Sequence, residues 1–378
     1  MTPNILIVGA GIAGLTLAQA LKQKSVAFDL VERAPEPAPV GAGLSLTVNA
    51  TRLLDDLGFA EAIRARGHIS EMGWIRSQRG NALQRLDLSA LQPYGVSVAL
   101  HRAELHDLLS QDLDVGYGQE VQGLEWRPGR VQVQLPGEKR EYALVIAADG
   151  LRSRVRASLP GAPRPVYSGY TSWRFVTPNT PALTDPTEFW GTGRRIGLIP
   201  IGGGQLYVFA TLNQPAGQVV AEAGRAPLLR KLFQSFPAPV GAVLEILNAD
   251  SGVIQTDIYE LRTHLWRAPN MALIGDAAHA MTPNLGQGAG MGIEDAVVLA
   301  QCLDRYGNSP EALATYEQVR QERASAIATQ SRWLGVMGQL EANLLIHLRN
   351  EAMRRTPQAV TQKNVWNMMV TRAPVLKG

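Results

Sequence analysis

The stretch Ile5-Leu-Ile-Val-Gly9-Ala-Gly11-Ile-Ala-Gly14 decides the fold. Ile5 to Val8 is a short apolar run rich in β-branched residues. It reads as a strand buried on both faces of a parallel sheet. Three glycines follow at G-x-G-x-x-G spacing. Leu15, Leu17, Ala18 and Leu21 then recur at helical spacing, and a second apolar run, Ala27 to Val31, ends in Glu32. Strand, glycine turn, helix, strand and acid form the order that a dinucleotide site requires. One glycine makes the tight turn, Gly11 lets the backbone approach a pyrophosphate, and Gly14 lets the helix pack on the strand. The helix N-terminus offers free N–H groups and a positive dipole end to phosphates. Glu32 is placed to accept hydrogen bonds from ribose hydroxyls and disfavours a 2′-phosphate. The site therefore suits FAD or NAD rather than NADP.

Two later stretches repeat part of this pattern. Tyr142-Ala-Leu-Val-Ile-Ala-Ala-Asp149-Gly150 is a buried strand ending in Asp-Gly, and Leu151-Arg-Ser-Arg-Val-Arg156 can start a helix. Met271-Ala-Leu-Ile-Gly275-Asp276-Ala-Ala-His279 is again a strand ending in a small residue and an acid. Pro283, the run Gly286-Gln287-Gly288-Ala289-Gly290 and a helical pattern from Ile293 to Leu303 come next. At the carboxyl end of a strand in an α/β sheet, a carboxylate faces the ligand crevice. Asp276 is thus placed to accept hydrogen bonds from sugar or ribityl hydroxyls. The 286–290 loop has little bulk, so a planar ring can lie on its backbone. Its amides and the following helix can stabilise negative charge. Either aspartate alone would serve equally as a helix cap; the order of the three motifs favours the ligand reading.

Composition narrows the class. The 378 residues suggest about two to three domains. With 46% hydrophobic and 18% charged residues, disorder is excluded. The single cysteine, Cys302, excludes an intrachain disulfide, a thiolate zinc site and a redox pair. It reads as a small buried residue and suits a reducing cytoplasm. Net charge is +3, from 36 Lys and Arg against 33 Asp and Glu, without a basic block, which argues against nucleic acid. No apolar stretch reaches the roughly 18 residues of a transmembrane helix, and the start lacks the basic region of a signal peptide.

The three motifs in this order resemble single-component FAD-dependent aromatic hydroxylases, the class A flavoprotein monooxygenases, over about residues 1 to 325. By this resemblance Gly9, Gly11, Ala13, Gly14, Glu32 and Arg33 match positions that bind the ADP half of FAD. Arg102 matches the arginine that reaches the FAD phosphates, and Val121 an adenine contact. Asp149-Gly150 matches the motif linked to both FAD and NAD(P)H. Asp276 matches the acid on the ribityl and pyrophosphate. Gly286, Gln287, Gly288, Ala289 and Gly290 match the loop beside the flavin ring, and Gly41-Ala-Gly43-Leu-Ser45 another flavin-lining segment. Many members carry Asn shortly after Gly-Gln-Gly. Here the run is Gly288-Ala-Gly-Met-Gly-Ile-Glu294-Asp295, which looks more like the branch of urate hydroxylases, salicylate-hydroxylase-like proteins and carotenoid epoxidases.

The remaining pattern completes an α/β architecture. Glu71 to Ser77 and Leu83 to Leu88 resemble a hairpin around Arg79-Gly80-Asn81. Val166 to Val176, Thr187 to Gly191, Arg195 to Ile201 and Gln205 to Leu212 also read as strands. A Rossmann-like FAD-binding domain is expected from discontinuous segments, 1–70, 95–165 and 260–310. An inserted, mostly antiparallel sheet domain for substrate is expected from 71–94 and 166–259. Pro310 to about Arg355 is helical by pattern, giving a C-terminal helical region over 311–378.

Arg195 and Tyr207 flank the turn Gly202-Gly203-Gly204. If that loop has three residues, Ile201 pairs with Gln205. Arg195, Gly197, Ile199, Tyr207, Phe209 and Thr211 then share one face. An Arg and a Tyr on an otherwise apolar face suit a pocket for a planar, polar or anionic ring. The alternative is an edge arginine and a core tyrosine. The segment from Glu188 to Tyr207 is similar to the urate hydroxylases, where the matching Arg and Tyr face the substrate. Tyr170, Trp173 and Arg174 are further candidates for the same cavity, although core packing suits both aromatics.

The resemblance implies an enzyme in which NADH or NADPH reduces FAD and dioxygen is then taken up. A small aromatic or heteroaromatic substrate is hydroxylated through a flavin hydroperoxide, with no metal required. The protein's part is to hold substrate in line and exclude water. An alkene epoxidase and a non-enzymatic flavin-binding regulator are the alternatives. A two-nucleotide reductase would need a second glycine fingerprint, and the chain has none.

Overall fold

The computed structural model describes residues 4–37 and 41–371. Its first layer is a six-stranded sheet in the order Arg267–Ala268, Met271–Leu273, Leu144–Ala147, Ile5–Val8, Asp29–Glu32, Gly116–Tyr117. All neighbours run parallel except the Arg267–Ala268 edge. Ile5, Leu6, Ile7, Leu144, Val145 and Ile146 are fully buried, as continuous apolar runs in a parallel sheet must be. The helices Ile12–Gln23 and Gly288–Tyr306 pack on this sheet and on each other.

The register explains how the three motifs meet. Val8 pairs with Ala147, Ala147 with Leu273, and Val8 with Val31. The residues just beyond these positions are Gly9, Asp149, Gly275-Asp276 and Glu32. Segments far apart in the chain therefore end side by side at one edge of one sheet, the position at which α/β sheets bind ligands.

A second sheet has seven strands in the order Ile254–Glu260, Val166–Pro178, Gln205–Asn213, Arg194–Ile201, Thr187–Trp190, Met72–Ser77, Ala82–Asp87. Only the Thr187–Trp190 and Met72–Ser77 pair is parallel. One face carries Trp173, Phe175, Ile196, Leu198 and Val208 into a core shared with the helices Glu222–Phe233 and Ala238–Glu245. The other face meets the C-terminal helices around Trp190 and Arg195 and the Gly43–Leu46 strand at Tyr207. A small antiparallel sheet of Gly43–Leu46, Val98–His101 and His68–Ile69 lies between the two larger sheets.

The C-terminal region is helical with a break. Helices span Pro310–Gly338 and Asn343–Arg355. In between, the Gln339 carbonyl accepts from Asn213 and the Leu340 carbonyl from the Gly193 amide, so the backbone leaves the helix to bond the sheet. Another helix, Gln358–Trp366, follows within the stretch 311–378 for which a helical region was expected.

Candidate active site

The glycine fingerprint has the geometry that close backbone approach demands. Gly9 has φ +106°, and a Cβ there would stand 2.6 Å from the Ala148 carbonyl oxygen. A Cβ on Gly14 would sit 2.0 Å from the Gly9 carbonyl oxygen, so only glycine lets the helix start this close to the strand. A Cβ on Gly11, by contrast, would meet nothing within 4 Å and would project into open space. That space is a cavity of about 200 Å³ lined by Gly9, Gly11, Glu32, Arg33, Val121 and Asp149, among others.

Two carboxylates are pinned beside it. Glu32 accepts from the Ala10 amide at 2.9 Å and the Ala34 amide at 3.0 Å, which fixes its rotamer and leaves lone pairs toward the cleft. Asp149 accepts through Oδ2 from the Arg154 and Val155 amides, capping the short helix Arg154–Ala157. Its Oδ1 is buried without any partner. Burial pushes the Asp149 carboxyl up, against the pull of these hydrogen bonds. Such an orphaned acceptor is costly unless a ligand supplies the donor.

Asp276 stands at the N-terminus of the Asp276–His279 helix. Its carboxylate reaches solvent, yet protein crowds it on the remaining sides. Burial pushes its pKa up, while His279, Arg102 and Arg156 oppose the shift. Gly288 begins the Gly288–Tyr306 helix, and Cβ atoms on Gly286 or Gly288 would meet nothing within 4 Å. Gln287 is buried, donating to Thr47 at 2.7 Å and accepting from Asn49 at 3.2 Å. Ser45 lies on the Gly43–Leu46 strand opposite Ala99, Arg102 opens the Arg102–Ser110 helix, and Ala289 and Gly290 continue the helix from Gly288. Ala13 backs this arrangement from the first helix, 3.1 Å from the Cβ positions of Gly275 and Gly292.

The cleft fits FAD. It offers a glycine cradle at a helix N-terminus for a pyrophosphate, a pinned acid for ribose and an orphaned Asp149 oxygen. A bare loop leads into another helix N-terminus for the ring. Glu32, Gly11, Arg102 and Asp276 would hold the cofactor's polar parts, and 286–290 its ring.

On the second sheet, Ile201 pairs with Gln205, Ile199 with Tyr207, Gly197 with Phe209 and Arg195 with Thr211. The loop is three residues long, and the expected face is formed. Strand pairing puts Tyr170 and Arg174 on that same face, beside Asn213 and Phe209. Trp173 points the other way, into the core under the helices. That corrects its candidacy: in a strand, neighbours of Arg174 and Ser172 must face opposite sides.

Arg195 is 2% exposed and fully engaged. Nη1 pairs with Glu188 at 2.9 Å, Nη2 donates to Asn284 at 2.5 Å, and Nε donates to Gln339 at 3.2 Å. The guanidinium also lies over the Tyr170 ring at 5.9 Å. Burial raises the Glu188 pKa and Arg195 opposes the rise. Tyr207 is half-buried, and its ring packs on the Gly43–Leu46 strand, where a Cβ on Gly43 would stand 2.4 Å from the Tyr207 Cβ. Burial raises the Tyr207 pKa, and Arg174 pulls it down.

Several important residues carry no local sequence signal. Arg156 is buried and donates to the carbonyls of Pro163, Ala277 and Leu151, tying the Asp149 loop to the Asp276 helix. Glu294 accepts from Asn49, Arg320 and Arg323; Asp295 accepts from the Gly275 amide, His279 and Arg320. This buried ionic cluster stands behind both the Gly275-Asp276 turn and the Gln287 loop. The acid pair Glu294-Asp295 was visible in the sequence, but its arginine partners lie about 26 residues on, in another helix.

Comparison with known proteins agrees with this geometry. A family model described as an FAD binding domain matches residues 2–331. The chain is 39% identical to an aurachin C monooxygenase/isomerase from Stigmatella aurantiaca, over 93% of this chain and 94% of that one. It is 34% identical to a 2-heptyl-3-hydroxy-4(1H)-quinolone synthase from Pseudomonas aeruginosa, over 94% and 95%. The Klebsiella pneumoniae HpxO structure with FAD and uric acid superposes with a TM-score of 0.90 at 26% identity, covering 97% of each chain. The chain belongs to this FAD-binding family and is an FAD-dependent, NAD(P)H-using aromatic monooxygenase of the class A type.

Proposed function

We propose that the substrate is a neutral fused heteroaromatic of the 4-quinolone type with an apolar side chain, hydroxylated on its electron-rich ring carbon. The observation that carries this reading is the pairing of Arg195 with Glu188. A buried arginine free of acids would favour a carboxylate-bearing ring. Here the charge of Arg195 is already matched, so its end of the face is polar but close to neutral, while Arg174, which donates to Thr256, keeps its charge at the Phe209 end. Isoleucine and aromatic side chains, Ile199, Tyr207 and Phe209, supply the apolar remainder of that face. Relatives named for aurachin C and for a 2-heptyl quinolone support the same class.

FAD held by Glu32, Gly11, Arg102 and Asp276 would supply the redox chemistry, taking hydride from NAD(P)H and activating dioxygen. In the balanced reaction a ring C–H becomes C–OH, the second oxygen leaves as water, and NAD(P)H supplies the two electrons. The chain's residues orient the ring and handle its proton. Tyr207, on the same sheet face as Arg195, is the proposed donor to the ring carbonyl. The Glu188 carboxylate, held by Arg195, is the acceptor for the ring N–H proton, whose loss enriches the adjacent carbon. Arg195 and Asn284 hold this pair relative to the 286–290 loop. The Pro310–Gly338 helix packs on the Arg195 and Asn284 end of the face through Gly335 and Gly338, which limits water there.

The test is turnover by FAD-loaded enzyme of a 2-alkyl-4(1H)-quinolone against 3-hydroxybenzoate. The quinolone is expected to accelerate NAD(P)H consumption with matching product and little hydrogen peroxide. Efficient coupling with the benzoate and none with the quinolone would reject the reading.

A further inference from the structure

The 286–290 loop is held from behind by a closed ring of three side chains. Thr47 donates its hydroxyl to Asn49 Oδ1 at 2.6 Å, Asn49 Nδ2 donates to Gln287 Oε1 at 3.2 Å, and Gln287 Nε2 donates to Thr47 Oγ1 at 2.7 Å. All three residues are buried. Asn49 Nδ2 also donates to Glu294 Oε1 at 2.7 Å. Thr47 stands just before the Val48–Asp56 helix and Gln287 just before the Gly288–Tyr306 helix. The ring therefore ties together two helix starts that lie 240 residues apart in the chain.

The direction of this ring is not free. A carboxylate only accepts, so Asn49 must turn its amide nitrogen to Glu294. Its oxygen is then left facing Thr47, which has a single hydroxyl proton and gives it there. The Thr47 oxygen can now only accept. Gln287 accordingly presents its nitrogen to Thr47 and turns its oxygen back to the second N–H of Asn49. Each orientation follows from the negative charge on Glu294. Burial pushes that carboxyl up, but Arg320 and Arg323 hold it below its ordinary value. Their contacts, between 2.5 and 2.8 Å, engage both of its oxygens.

We propose that Asn49 is a positioning residue, which turns the charge of Glu294 into a fixed direction for the ring and so locks the 286–290 loop to the segment ending at Thr47. Hydrogen bonds running head to tail strengthen one another. An unpaired member in so buried a setting is costly. The lock therefore has one arrangement. It also holds in one orientation the first N–H groups of the Gly288–Tyr306 helix, which have no partner inside the helix. The inference rests on the reading that this loop lies beside the flavin ring.

The experiment is a fluorescence titration of the full chain with FAD, with the visible absorption spectrum of the bound flavin as a second readout. Asn49→Asp keeps the size of the side chain but, when ionised, has no proton to give to Glu294 or Gln287. FAD should then bind on the order of 10-fold more weakly, with shifted flavin bands. Thr47→Val keeps the shape and breaks two members of the ring, for a loss of roughly fivefold. Thr47→Ser loses a methyl group but keeps the hydroxyl, and should restore both affinity and spectrum. A packing role for Thr47 demands the opposite order, with valine near wild type and serine impaired. Wild-type binding and spectrum in Asn49→Asp, or Thr47→Val binding as tightly as Thr47→Ser, overturns the proposal. Should Asn49→Asp fail to fold, the two threonine variants decide. Gly288→Val separates the lock from the reading beneath it, because a Cβ there meets nothing within 4 Å and presses only on what lies against the loop. Normal FAD binding by Gly288→Val rejects the placement beside the flavin, and the effect of the lock on FAD with it. Weak binding by Gly288→Val, with Thr47→Val at the wild-type value, rejects the lock alone.

Discussion

Arg195 donates through Nη2 to Asn284 Oδ1 at 2.5 Å, and this contact joins the substrate-side sheet to the turn that leads into the Gly286–Gly290 loop. Asn284 is gripped from behind as well, donating to Thr282 and to the Ser331 carbonyl. The long C-terminal helix makes room with glycines: a Cβ on Gly335 would stand 2.4 Å from Asn284 Nδ2, and one on Gly338 2.6 Å from Arg195 Cδ. The Arg195 face of the sheet and the turn before the 286–290 loop are therefore held in one hydrogen-bonded unit.

Replacing Arg195 by Ala leaves Glu188 buried without its cation and Asn284 without its tether. Loss of one partner of a buried pair costs about 3–5 kcal/mol. Catalytic efficiency should fall by 100-fold or more on that scale, with hydrogen peroxide rising per NAD(P)H consumed. Unchanged turnover and coupling would remove Arg195 from the site.

Tyr207→Phe removes one hydroxyl and keeps the ring against Gly43. A lost hydrogen bond of about 1 kcal/mol corresponds to a roughly fivefold rise in KM. FAD affinity should stay at the wild-type value in a fluorescence titration; a parallel loss would mean that the ring positions the cofactor instead.

Glu32→Ala should weaken FAD binding about 10- to 100-fold, the worth of hydrogen bonds to a charged acceptor. The same change frees the Ala10 and Ala34 amides. Dequenching of flavin fluorescence on dilution reports it, and retention of FAD at wild-type affinity would exclude a ribose role.

Arg320→Met unbalances the buried cluster, because Arg320 bridges Glu294 and Asp295. We expect a stability loss of about 3–5 kcal/mol in urea unfolding. A loss below about 1 kcal/mol would show that Arg323 and His279 suffice.

Acid lability should come in two windows. Burial lowers the His264 pKa to about 4. The unfolded chain takes up that proton below about pH 6.5, so stability falls as pH drops from about 6.5 to about 4. Burial pushes Asp295 up, but His279 and Arg320 pull it down further, to about 2. Its contribution is complete above the ordinary carboxylate pKa of about 4 and is lost as pH falls toward 2. His264→Phe should abolish the first window in a melting-temperature profile and leave the second.

The dinucleotide half was legible because its chemistry is local. The turn at Gly9, the close packing at Gly14 and the acid after the second strand are each specified within a few residues of one another. The face carrying Arg195 and Tyr207 also followed from strand alternation once the length of the Gly202–Gly204 turn was assumed. Trp173 was ambiguous because a β-branched or aromatic residue in a strand has no sequence mark saying which face is the core; the pairing of Arg174 with Phe209 decided it.

The sequence by itself determined that a glycine-rich turn would meet a strand, a helix and an acid, since those preferences act between neighbours in the chain. Only the tertiary structure decided that Val8, Ala147 and Leu273 end in line, and that Glu188, Asn284 and Gln339 surround Arg195. Register and burial arise from packing between segments that lie apart in the chain, by 144 residues for Arg195 and Gln339, and local preference carries no information about which distant partner will satisfy a buried charge.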